Sequence, residues 1–94
     1  MDNLYIRILQ MLVSFDSLGR PIDNKIVRRN TFQFGKELDE EIGINRNEFY
    51  EAVKRLHLNY LIDVTDLKED NGTIAIRQEG IECIKAITKE NNKL

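Results

Sequence analysis

Residues 37–62 read ELDEEIGINRNEFYEAVKRLHLNYLI, and this stretch decides the fold. Three independent signals mark the start of a helix inside it. Asn45 is a good N-cap, and Glu48 stands three residues on, which makes a capping box with Asn in place of Ser or Thr. Ile44 before the cap and Phe49 at the fourth helical position have the spacing of a hydrophobic staple. From there Phe49, Ala52, Val53, Leu56 and Tyr60 form a stripe at helical spacing that predicts a core face. Asn59 can adopt the left-handed conformation that ends the helix. Gly43 sits where a preceding helix needs a left-handed C-cap. The stretch is therefore the end of one helix, a tight turn, and a second whole helix running into Ile62.

Upstream, Thr31 is a good N-cap for the first of those two helices, Phe32 to Ile42, with Phe34, Leu38 and Ile42 on one face. The preceding NKIVRRN (Asn24 to Asn30) fits an edge strand or an irregular turn. DSLGRPID (Asp16 to Asp23) is a break, punctuated by Gly19 and Pro21. Asp2 or Asn3 can cap an opening helix that runs to about Phe15. Leu4, Ile8, Met11 and Phe15 share one face of it, Tyr5, Leu9 and Leu12 widen that face, and Ile6 and Val13 carry it further round. A helix apolar around more than half its girth is either central in the core or part of an interface.

Downstream, Ile62 to Lys68 and Thr73 to Gln78 read as two strands by their alternation. Asn71-Gly72 between them is a strong short hairpin signal. The alternation slips at Asp66-Leu67, which predicts a bulge or an early turn there. A last helix runs from about Glu79 to Glu90, with Ile81, Ile84 and Ile87 on one face. The chain of 94 residues reads as one domain spanning 1–94, with about 91–94 as a frayed tail. A domain of this size buries roughly 60–65% of its unfolded surface, enough for one core and little for a deep pocket.

Composition narrows the function classes. Hydrophobic residues make up 41% and charged residues 32%, with a net charge of −2, as in an ordinary globular protein. The sequence pI of about 5.4 does not advertise a nucleic-acid binder, although a local basic patch is enough for one. The single cysteine, Cys83, cannot form an internal disulfide, which fits an intracellular, cytoplasmic chain. The opening MDNLYIRILQ lacks the positive charge and small-residue cleavage site of a secretory signal, and no apolar run approaches the length of a membrane span.

The run from Glu37 to Ile62 resembles the helix-turn-helix pattern ELAEELGIS…V…L…GLI. Leu38, Ile42, Gly43, Ile44, Val53, Leu56 and Ile62 fall on its apolar and turn positions, and Asn45 replaces the capping Ser. The closing TIAIRQEGIECIK is similar to the third strand and following helix of many bacterial winged-helix regulators. The resemblance covers roughly Thr31 to Ala86, and its narrower form is to the small YjcQ-like proteins of Gram-positive bacteria and their phages. It implies an α+β winged helix-turn-helix fold with a three-helix core, a two-stranded wing and a C-terminal helix. Two departures stand out: Asp39 replaces the small Ala usual where the two helices touch, and Asn59-Tyr60 replaces the usual Gly before the strand.

The resemblance also implies a small DNA-binding regulator, with the helix after Asn45 as the recognition helix. With the stripe inward, its outer face holds Asn47, Tyr50, Glu51, Lys54 and Leu58, flanked by Arg46 and Arg55. Asn47 can pair with adenine, and Arg46 can reach guanine or phosphate. Glu51 can accept from cytosine but repels phosphate, and it can equally pair with Lys54 on a plain solvated face. A stronger signal lies upstream, where Arg20, Lys25, Arg28, Arg29 and Lys36 face a single acid, Asp23. That cluster leads into a helix N-terminus, whose free N–H groups suit phosphate; Thr31 and Gln33 can add hydrogen bonds. The candidate contacts are Arg28, Arg29 and Lys36 to phosphate and Arg46, Asn47, Tyr50 and Lys54 to bases. The wing opposes this, because Asp63, Asp66, Glu69 and Asp70 outweigh Lys68 there. The alternative reading is a winged-helix module that binds another protein and no DNA.

Other chemistry has little support. His57 is the only histidine and Cys83 the only cysteine, and nothing in their spacing brings them within hydrogen-bond reach with a third orienting group. The reading is not an enzyme, with no cofactor and no metal site. Glu37, Asp39, Glu40 and Glu41 form a solvated helix face. The wide apolar face of the opening helix allows a homodimer through Ile6, Leu9 and Val13, or packing of the last helix over it within one chain.

Overall fold

A computed structural model describes residues 3–15, 17–18, 21–26 and 28–91, with side chains for 4–13, 17–18 and 28–87. The described residues form an α+β protein with four helices and a small three-stranded antiparallel sheet. In chain order the elements are α1 (Asn3–Met11), β1 (Val13–Phe15), β2 (Pro21–Ile26), β3 (Arg29–Asn30), α2 (Thr31–Ile42), α3 (Arg46–Leu58), β4 (Ile62–Thr65), β5 (Thr73–Ile76) and α4 (Gln78–Asn91). Strands β3, β5 and β4 lie side by side in that order, and β1 pairs separately with β2. Among the described residues no helix is long and apolar enough to cross a membrane.

The opening helix is shorter than its apolar pattern predicts. It stops at Met11, where the Leu12 N–H is shared between the carbonyls of Ile8 and Leu9 at 3.2 Å. Val13–Phe15 is instead a strand, antiparallel to Pro21–Ile26 with Val13 opposite Ile26. Val13-Ser14-Phe15 also fits the alternation of a strand, and the pairing partner that folds back settles which period wins. The NKIVRRN segment is in part edge strand: β2 ends at Ile26 and β3 pairs Arg29 with Ile74 and Asn30 with Thr73.

Helix α2 begins one residue earlier than its threonine suggests. Asn30, not Thr31, is the N-cap, and its Oδ1 accepts from the Gln33 N–H at 3.0 Å. The Thr31 N–H is committed to the Gly72 carbonyl at 3.0 Å, so Thr31 enters the helix and its side chain is buried. Asn30 Nδ2 also donates to the Asp70 carbonyl at 2.8 Å, which fastens the start of α2 to the β4–β5 loop. Gly43 closes α2 at φ 69°, the left-handed C-cap. Phe34 and Leu38 are buried as expected, but Ile42 is exposed at that end.

Helix α3 starts as its signals require. The Glu48 N–H donates to Asn45 Oδ1 at 2.9 Å, and Asn45 Nδ2 donates to Glu48 Oε1 at 2.9 Å. Ile44 and Phe49 are both buried. The other end differs from expectation. Tyr60 is 69% exposed rather than core, and Tyr60, at φ 61°, is the left-handed residue. Asn59 stays at φ −92° and ends the helix through its side chain, whose Nδ2 donates to the Arg55 carbonyl at 2.8 Å.

Strands β4 and β5 are shorter than their alternation, with Thr65 and Thr73 the last pair. The expected early turn is present: Asp66 (φ 48°) and Lys68 (φ 80°) are left-handed. Asn71-Gly72 does not form a two-residue primed turn, because Gly72 has no positive φ. It closes a longer loop through a bond from the Gly72 N–H to the Glu69 carbonyl at 3.1 Å. Helix α4 includes Asn91, and the rest of the expected frayed tail, 92–94, lies outside the described residues.

One hydrophobic cluster joins these elements. Ile8 and Leu9 from α1, Phe34 and Leu38 from α2, Phe49 and Val53 from α3, Ile62, Ile74 and Ile76 from the sheet, and Ile81 and Ile84 from α4 are all essentially inaccessible. Helix α1 is thus central, packed against α3 and α4, and each buried aliphatic side chain contributes roughly 1.5–3 kcal/mol.

Candidate nucleic-acid interface

Helices α2 and α3 come close together at Gly35. A Cβ built there would lie 2.8 Å from Arg46 Nη1 and 2.9 Å from two carbons of the Phe49 ring. The small residue expected at position 39 is therefore found one turn earlier, and Asp39 is exposed. This contact brings the first residue of α3, Arg46, over the first turn of α2. Its Nη1 donates to the Phe32 carbonyl at 3.3 Å, and its guanidinium stacks 4.5 Å from the centroid of the Phe32 ring.

The same guanidinium lies 5.9 Å from the Tyr50 ring, and Lys68 from the β4–β5 loop places its Nζ 5.6 Å from that ring. Phe32, Arg46, Tyr50 and Lys68 thus alternate aromatic and cation across one surface built by α2, α3 and the loop. Each such cation–ring contact is worth roughly 0.5–1 kcal/mol at an exposed site. Phe32 is 42% exposed. Tyr50 is only partly exposed, because its ring also packs against the core and against Phe49; it is less outward than the helical stripe implies.

Three of the other candidate cations, Arg28, Arg29 and Lys54, have carboxylate partners. Arg28 Nη2 pairs with Asp63 Oδ2 at 2.7 Å, and its Nη1 donates to Thr73 Oγ1 at 3.0 Å. This bond, together with the charge of Arg28, holds the Asp63 carboxyl below its ordinary value of 3.8. Arg29 pairs with Glu37 and stacks on Phe34 at 4.8 Å. Lys54 meets Glu51 at 3.4 Å, the plain solvated pair the spacing allows. Asn47 and Lys36 are exposed. Thr31 is buried and offers nothing to a ligand. Arg20 and the Lys25 side chain lie outside the described residues.

Of the candidate dimer residues, Leu9 and Val13 are buried within the chain and Ile6 is partly buried against the core. The last helix packs on α1. His57 is exposed, and its Nδ1–H donates to the Ile62 carbonyl at 3.3 Å. Cys83 is half-buried on α4 against the core. Among the described residues no group of three or more His, Cys, Asp or Glu side chains could hold a metal.

The sequence reading gives Phe32 and Gly35 no role at this surface and counts Lys68 only as a wing base outweighed by its acidic neighbours. Phe32 and Lys68 reach the site from different elements, and no spacing rule links residues 32, 46 and 68. Only the interior glycine of α2 is a usable signal, since glycine weakens a helix unless close packing requires it. No family model, curated protein or solved structure matches the chain.

Proposed function

We propose that this chain is a small winged helix-turn-helix protein that binds double-stranded DNA, a transcriptional regulator of the bacterial or phage kind and not an enzyme, and that it works in the cytoplasm. The observation that carries the reading is the surface where α2, α3 and the β4–β5 loop meet. Lys36, Arg46 and Lys68, at or beside it, have no carboxylate partner among the described residues. The first turns of α2 and α3 meet at this surface, and the N-terminal end of a helix carries positive potential. On this reading Lys36 and Lys68 take phosphate, while Arg46, Asn47 and Tyr50 face the groove. Arg28 and Arg29 stand behind that front line, since phosphate must first displace Asp63 and Glu37.

Those two ion pairs favour a second reading, in which the same face binds a protein. The basic loop is then neutralised, the net charge stays at −2, and an Arg between two aromatic rings resembles an interface anchor. Retention of the protein on mixed duplex DNA across a salt series separates the two. The DNA reading expects binding that weakens steeply with salt, at a slope of about −0.9 per phosphate neutralised, and loss of binding in Lys36→Glu/Lys68→Glu. No retention at low salt with micromolar protein would overturn it in favour of the protein-binding module.

A further inference from the structure

Arg46 is the one cation on this face whose direction is fixed from several sides. Its guanidinium is held at Nη1 by the Phe32 carbonyl, covered by the Phe32 ring, and flanked by Tyr50. Gly35 leaves no side chain beneath it. A guanidinium has five N–H donors in a rigid fork, and the carbonyl takes one of them. The remaining donors lie in a plane set by the stack, at the first residue of a helix whose N-terminal residues are the ones that meet base edges in this fold class.

A planar fork fixed in this way can meet a planar pair of acceptors with two parallel bonds, a geometric selection that a mobile lysine, which meets phosphate as a point charge, does not offer. Lys36 and Lys68 already supply such point charges nearby. In the major groove the planar acceptor pair is guanine O6 and N7. We propose that Arg46 reads one guanine, and that Phe32 and Tyr50 are positioning residues that hold its fork in the reading orientation. The inference rests on the DNA-binding reading above and adds the base that this site selects.

The test begins with selection of preferred duplexes from a random pool by the full chain, followed by affinity and salt-slope measurements on the selected site. Parent protein should show one guanine whose replacement by 7-deazaguanine, which lacks the N7 acceptor, weakens binding about tenfold or more. Arg46→Lys should lose that discrimination with the salt slope unchanged, because the charge remains while the fork is gone. Phe32→Ala should reduce discrimination at the same position with an unchanged slope, and Tyr50→Phe, which keeps the ring, should preserve it. Far-UV circular dichroism and a cooperative melt confirm that each variant is folded. If Arg46→Lys keeps full guanine discrimination and Arg46→Ala only lowers the salt slope by about one phosphate, Arg46 holds the backbone; this inference is then overturned while the DNA reading stands. If no duplex is retained at low salt, both fall together.

Discussion

Gly35→Ala tests the helix contact on which the whole face depends. The new methyl would sit 2.8 Å from Arg46 Nη1 and 2.9 Å from Phe49 Cδ2 and Cε2, closer than van der Waals contact allows. The arginine end can swing away. The ring cannot do so freely: Phe49 is 1% exposed and packs against Phe34 at 5.9 Å and Tyr50 at 5.8 Å. Two effects therefore oppose each other. Alanine gains about 0.8–1 kcal/mol over glycine in a helix interior, and overpacking a filled core costs roughly 1–3 kcal/mol. The net expectation is a loss of about 1 kcal/mol, which lowers the melting temperature by roughly 4–8 °C in a domain of this size. The chain has no tryptophan, so urea and thermal unfolding are followed by far-UV circular dichroism. Combining the change with Phe49→Leu, which removes the ring edge, should shrink or reverse the penalty, giving a measurable coupling between the two sites. A Gly35→Ala protein more stable than the parent, or strict additivity with Phe49→Leu, would refute the idea that this glycine sets the α2–α3 distance.

Gly43→Ala probes a glycine needed for a different reason. No atom lies within 4 Å of a Cβ there, but φ is 69°, so the left-handed backbone alone should cost roughly 1–2 kcal/mol; unchanged urea stability would contradict the assignment. Tyr60→Gly should go the other way: relief of a left-handed non-glycine at an exposed position outweighs the entropy of glycine by up to about 1 kcal/mol, and a clear loss in the same assay would show that the exposed ring contributes more than the geometry suggests. Asp63 is held below its ordinary value by Arg28, so its folded form binds its proton less readily than the unfolded chain. The stability from the pair is therefore full above the ordinary carboxylate value and is lost as pH falls through the lower folded one. Acid unfolding of Asp63→Asn should begin less steeply below about pH 4, and an NMR titration should place Asp63 under 3.8 in the parent and back toward it in Arg28→Ala; identical titrations in both would sink the pairing.

Local sequence determined the parts of this protein whose physics is local. Asn45 and Glu48 can satisfy one another within a single turn, Ile44 and Phe49 are one staple apart, and Gly43 alone can end α2 without strain; each needs nothing from the rest of the chain. The same holds for the buried faces of α2, α3 and α4, where a 3.6-residue period marks one side as apolar. Tertiary structure decided whatever required a distant partner. Val13–Phe15 is a strand because 21–26 folds back beside it, and Asn30 displaces Thr31 as the cap because Gly72 and Asp70 arrive from forty residues away to bind them. Charge behaved likewise: Arg28 and Arg29 count as a basic patch in the sequence, yet Asp63 and Glu37 meet them in space. The surface of Phe32, Arg46, Tyr50 and Lys68 exists only because Gly35 lets two helices touch and the β4–β5 loop reaches back over them. Pattern can mark which faces are buried, but which polar groups meet on the outside follows from the folded shape, since no periodicity in the chain encodes a contact between three separate elements.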